Sequence, residues 1–96
     1  MTAYWINTFV EIIDEDKLAR YVKLAGAAMI AAGGRFLARG NPAHTFEEAS
    51  ELRTSLIEFD SVDAAVAAYR SPAYQEALRV LDNGARREVR ILDGVD

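Results

Sequence analysis

The sequence predicts an α+β fold of the split βαβ type, a four-stranded antiparallel sheet with helices on one face. Three observations predict it. Apolar periodicity changes along the chain in the order strand, helix, strand, strand, broken helix, strand. The first strand is apolar on both faces. No repeat, linker or low-complexity tract interrupts the 96 residues, so residues 1–96 are expected to form one domain.

The opening strand, Tyr4 to Ile12, is rich in aromatic and β-branched residues. Tyr4, Ile6 and Val10 fall on one parity, Trp5 and Phe9 on the other. A strand apolar on both sides needs cover on both sides. Helices supply one cover, and in so short a chain a second copy of the sheet supplies the other, which predicts a homodimer through the sheet face. Asn7 and Thr8 interrupt the apolar run, either as polar groups lining a cavity or as ladder residues near an edge.

Asp14 is placed to cap a helix with Glu15 and Asp16 in its first turn. Leu18, Tyr21 or Val22, Ala25, Met29 and Ala32 carry the helical spacing as far as Gly33-Gly34. Arg35 to Gly40 reads as the second strand, NPAHTFEEASEL as a turn-rich connection, and Arg53 to Phe59 as the third strand. Ser61 caps the next helix, which packs through Ala64, Ala65, Ala68 and Tyr69. Ser71 caps again, and Pro72 at the first helical position makes the chain bend and restart. Tyr74, Leu78 and Leu81 lead to a stop at Asn83-Gly84. The last strand, Arg87 to Leu92, carries arginines read as protection of an exposed edge, with an anion site as the alternative for Arg86, Arg87 and Arg90.

Composition excludes several functions. With 51% hydrophobic and 27% charged residues the chain is expected to be globular. No apolar run reaches the length of a membrane span, and the N-terminus lacks the pattern of a signal peptide, so no membrane contact and a cytoplasmic location are expected. The absence of cysteine and the single histidine, His44, leave no thiolate or His-rich centre, and no metal is expected. A net charge of −4 speaks against nucleic acid. Gly33-Gly34 ends a helix rather than opening one, so there is no dinucleotide or phosphate-loop fingerprint, and no cofactor is expected.

The run from Phe59 through Ser61, Ala64-Ala65, Tyr69, Ser71-Pro72, Tyr74-Gln75 and Ala77 resembles the hallmark of the domain of unknown function 1330 family. YWINTFVEI, GGRFLARG and the terminal REVRILDGV agree with it. The resemblance implies a dimeric α+β barrel, ferredoxin-like in each subunit. It departs at Asp60, where the family often has proline, and in NPAHTFEEASE, where a more apolar hairpin is usual. The wider superfamily includes cofactor-independent monooxygenases, lactone isomerases, dehydratases and haem-handling proteins, so the resemblance leaves the chemistry open. Haem is disfavoured because His44 lies in a polar loop.

The expected site is a cleft between helices and sheet, walled by Trp5, Phe36, Phe59 and Tyr69 and holding a small apolar or aromatic molecule. Asn7, Arg39, His44 and Glu58 are the polar candidates. His44 is the general acid or base by its ordinary pKa, and Glu58 is the substitute. For Glu58 the competing reading is a structural ion pair with Arg35 or Arg39 on the preceding strand. The enzyme reading is therefore cofactor-free acid–base isomerisation or oxygenation. Its competitor is a non-catalytic dimer that binds a metabolite or a protein, and a third reading is a structural subunit assembling through its sheet edge.

Overall fold

The computed structural model describes residues 1–95. Its elements are β1 (Ala3–Ile12), α1 (Glu15–Ala31), β2 (Arg35–Gly40), β3 (Thr54–Phe59), α2 (Val62–Arg70), α3 (Pro72–Leu81) and β4 (Ala85–Asp93). The sheet runs in the order β2-β3-β1-β4 with every neighbouring pair antiparallel. This is the ferredoxin-like arrangement expected from the element order. Among the described residues, no helix is long and apolar enough to cross a membrane.

The parity of β1 sets the two faces. Ala3, Trp5, Asn7 and Phe9 turn toward the helices and are buried, while Tyr4, Ile6 and Thr8 are only half-buried on the opposite, open face. On β3, Ser55, Ile57 and Phe59 join the helix side, and Thr54, Leu56 and Glu58 lie on the other. The core thus sits between the sheet and α1 and α3. Trp5, Phe59, Tyr69 and Tyr74 form an aromatic cluster there, with the Trp5 ring edge-on to Tyr74 at 5.3 Å between centroids.

Each helix starts as its sequence dictates. The Asp14 carboxylate accepts from the backbone N–H groups of Asp16 and Lys17 (3.0 and 3.1 Å). Ser61 Oγ accepts from Ala64 N–H (3.0 Å), and Ser71 Oγ accepts from Tyr74 N–H (3.3 Å) with Pro72 in the first turn. These side chains satisfy N–H groups that have no partner within the helix. The second stop differs from the expectation at Asn83-Gly84. α3 ends at Leu81, and Asp82 takes the positive φ of 51°. Gly84 is needed for close approach instead, since a Cβ there would lie 2.9 Å from both Leu81 O and Lys17 Cβ. Its carbonyl accepts from Ile13 and Asp14 N–H (2.8 and 2.9 Å), which ties the start of α1 to the start of β4.

Gly34 has a similar role at the other end of α1. An added Cβ would meet Phe59 Cζ at 2.8 Å, Ile57 Cγ2 at 2.9 Å and Met29 O at 2.9 Å. One of these contacts is backbone and cannot rotate away. Gly34→Ala is expected to destabilise the fold by about 1–3 kcal/mol, the usual cost of overpacking. A lowered urea midpoint at unchanged m-value checks this; an unchanged midpoint would show that β2 shifts freely at this position.

Candidate functional site

The sheet register builds a polar row inside an otherwise apolar layer. Ser55 pairs with Asn7 on one side and with Arg39 on the other, so Arg39, Ser55 and Asn7 line up across β2, β3 and β1 on the helix face. The neighbouring row, Phe36, Ile57, Trp5 and Ile91, is wholly apolar. Between these rows and α1 lies a narrow cavity of about 420 Å³ including its open mouth. Trp5, Phe9, Met29, Phe36 and Ile57 give it apolar walls, and Asn7, Ser55, Tyr21, Tyr74, Arg39 and Arg53 give it polar points. Its mouth lies where Val22 and Gly26 of α1 face Phe36, Arg39 and Arg53, the least buried of the lining residues.

A β-bulge makes this row possible. Phe36 and Arg39 are three residues apart and would point to opposite faces of a regular strand. The register shift between Phe36 and Ala38 brings both to the helix face. The Arg39 guanidinium then lies 4.7 Å from the Phe36 ring centroid, held over the aromatic face at the mouth.

Asn7 is the exceptional group. It is 6% exposed, and its Oδ1 is buried with no hydrogen-bond partner among the described residues. A buried amide oxygen left unpaired costs about 1–3 kcal/mol, so Asn7 Oδ1 is an acceptor open to any donor that enters the cavity. Turning the amide over exchanges acceptor for donor and leaves the same position polar.

A second polar cluster closes the inner end. The hydroxyls of Tyr21 on α1 and Tyr74 on α3 lie 2.8 Å apart, and Arg87 Nη1 donates to both, at 2.6 and 2.9 Å. Burial, followed by the neighbouring Tyr74, pushes the Tyr21 hydroxyl far above its usual range against the opposing pull of Arg87. It is a neutral phenol. One phenol donates to the other, so the second O–H has no acceptor among the described residues. The edge-strand reading of Arg87 therefore needs correction: Arg86 and Arg90 point outward, while Arg87 turns inward to the tyrosines.

The expected site residues divide into groups. Trp5, Asn7, Phe36 and Arg39 come together around the cavity. Phe59 is fully buried behind Trp5, with 6.3 Å between ring centroids, and Tyr69 flanks Trp5 at 5.8 Å with part of its surface exposed; neither lines the cavity. Glu58 lies on the open face of the sheet, where Arg35 Nε donates to it (2.9 Å) while Arg35 Nη2 donates to Asp60 (3.1 Å). His44 is exposed in the loop between β2 and β3, in a broad groove with Thr8, Val10, Glu88 and Arg90. His44 and Glu58 thus lie away from the cavity. Tyr21, Tyr74, Ser55, Arg53 and Arg87 are the polar residues that sequence reasoning did not place in or behind it. Parity alone put Ser55 on the helix face; the others depend on which helix and loop stand opposite. Among the described residues, no three His, Asp or Glu side chains come together as a metal site.

Comparison with known proteins agrees with this architecture. A protein of unknown function from Rhodopseudomonas palustris superposes with a TM-score of 0.76 at 17% identity, over 99% of this chain and 83% of that one. A dimeric ferredoxin-like protein of unknown function from Jannaschia sp. gives 0.70 at 18% identity, over 98% and 100%. SnoaB, a cofactor-independent oxygenase from Streptomyces nogalater, gives 0.69 at 12% identity, over 99% and 94%. At these identities the likeness is one of fold. No curated protein matches the chain. The family model described as domain of unknown function (DUF1330) matches residues 2–95, and the chain belongs to that family.

Proposed function

We propose that the protein is a homodimeric, cofactor-independent enzyme that binds a small flat molecule in the cavity between sheet and α1. The observation that carries the reading is the buried Asn7 carboxamide beside Trp5, whose Oδ1 has no hydrogen-bond partner among the described residues. A ligand that hydrogen-bonds Asn7 and stacks against the aromatic walls would relieve its cost. The half-buried apolar groups Tyr4, Ile6 and Leu56 support a dimer through the open sheet face, and relatives with this fold are described as dimeric. A cytoplasmic location is part of the same proposal and rests on composition.

Of the two chemistries considered, oxygenation fits the cavity better than acid–base isomerisation. None of the lining residues is His, Lys, Asp or Glu, so no conventional general base stands over the ligand. The substrate must then supply its own acidity and electrons. In balance, a CH₂ group gives four electrons to O₂ and becomes a carbonyl; one oxygen atom enters the product and the other leaves as water with both hydrogens. Asn7 and the tyrosine O–H would stabilise negative charge on the substrate oxygen as its proton leaves. A lining of hydrogen-bonding groups without a base equally suits binding without turnover, which is the second reading.

The test is oxygen consumption during a screen of activated aromatic and diketone substrates, with no flavin, nicotinamide or metal added and with chelator present. One O₂ consumed per carbonyl formed is the expected result. Tight binding without oxygen uptake or any product would favour the binding module.

A further inference from the structure

The charge around the cavity is opposite in sign to that of the protein. The chain carries 15 Asp and Glu against 11 Lys and Arg, yet the cavity is lined by Arg39 and Arg53 and by no carboxylate. Among the described residues neither arginine makes an ion pair, and the same holds for Arg87 behind the tyrosines, although Arg35, Arg79 and Arg86 all do. Arg20, Arg70 and Arg90 are likewise unpaired among the described residues but lie exposed away from the cavity, whereas Arg39 and Arg53 line the slot and Arg87 stands behind its tyrosines. Confined positive charge with low-dielectric walls concentrates field within it. The remaining unpaired groups agree: among the described residues one tyrosine O–H lacks an acceptor and Asn7 Oδ1 has no partner. The slot is narrow, with one strand layer below and α1 above, so its occupant is flat.

We infer that this cavity takes a small planar anion, an aromatic carboxylate or an enolate, with its charged oxygen between the Arg39 and Arg53 guanidiniums and its ring against Trp5 and Phe36. The inference rests on the cavity being the ligand site and adds the charge of the ligand. Asn7 and Ser55 lie beside the position of the charged oxygen on the same polar row. An enolate satisfies the reaction proposed above directly, because it is already the electron-rich form of the substrate. A carboxylate would instead serve as an anchor for a larger substrate.

Trp5 is the only tryptophan of the chain and lines the cavity, so its fluorescence reports occupancy. Benzoate, benzamide and benzamidine share one shape and differ in charge; a cyclic 1,3-diketone ionised at neutral pH supplies the enolate. Titration is expected to show benzoate or the diketone binding about tenfold or more tighter than benzamide, with benzamidine weakest, as charge-assisted pairing with arginine requires. Whichever anion binds tighter tells anchor from substrate. Arg39→Gln and Arg53→Gln are each expected to collapse the preference for the anion over benzamide, and added salt to weaken it. Benzamide binding as tightly as both anions overturns the charge assignment and leaves the ligand site intact. Gly26→Leu is the control for location, since a Cβ at Gly26 meets nothing within 4 Å and the longer side chain would fill the mouth. A response that persists in that variant, or no response to any of the four compounds, overturns the site itself.

Discussion

Asn7→Leu is expected to yield a more stable protein that binds its ligand more weakly and turns it over far more slowly. The substitution replaces a buried amide with an apolar side chain of similar size between Trp5 and Phe9 on the helix face of β1. Because Asn7 Oδ1 has no partner among the described residues, no hydrogen bond to it from them is lost, and the desolvation cost of the amide disappears. The gain expected is about 1–2 kcal/mol, within the range for an unsatisfied buried polar group. In a chain of this length that corresponds to a rise in Tm of roughly 4–15 °C. Ligand affinity should fall about 10- to 100-fold, and turnover by about 10²–10³ if the amide stabilises developing charge. Thermal unfolding, ligand titration and oxygen uptake on one preparation measure all three. A loss of stability would mean that the carboxamide is structural; unchanged turnover would remove it from the site. Opposite signs in stability and function are the signature of a residue kept for its ligand.

The same residue shows how much of this molecule could be read from its sequence. The two-faced character of β1 was legible because side chains alternate with a period of two, which places Trp5, Asn7 and Phe9 together whatever the strand pairs with. The caps at Asp14, Ser61 and Ser71 were legible because each acts on N–H groups two or three residues away. Long-range placement was not. Strict alternation puts Arg39 on the face of Arg35, where either could pair with Glu58; the bulge after Phe36 gives Glu58 to Arg35 and turns Arg39 into the cavity. Nothing in RFLARG announces a bulge. Arg87, Tyr21 and Tyr74 meet from three elements separated by up to 66 residues, and an arginine on an edge strand looks locally like any other. His44 is the single histidine of the sequence, but residue type says nothing about position, and its loop lies on the far side of the sheet from Asn7.

Leu56→Lys is expected to split the dimer while leaving the subunit folded. Leu56 sits at the centre of the open face, directly opposite Ile6 on β1 and Ala38 on β2, and it is only half-buried in the single chain. A lysine there can keep its ammonium in water when the subunit is alone, so the helix-side core of Trp5, Phe59 and Tyr74 does not sense it. Once a second sheet covers the face, that charge must be desolvated among Ile6, Tyr4 and their counterparts, without a carboxylate directly opposite to receive it. An unpaired buried charge costs several kcal/mol, or about 10²–10³ in the dissociation constant. Sedimentation or native mass spectrometry at micromolar concentration should show wild type at twice the mass of one chain and the variant at that of one. Far-ultraviolet dichroism at the same concentration should remain that of the folded protein. A variant that stays dimeric would move the interface away from the open face and leave Tyr4, Ile6 and Leu56 without a reason to be apolar. A monomer that still binds ligand through Trp5 would place the cavity wholly within one subunit. Loss of binding on dissociation would instead require the dimer to hold α1 and β2 at the spacing that forms the slot.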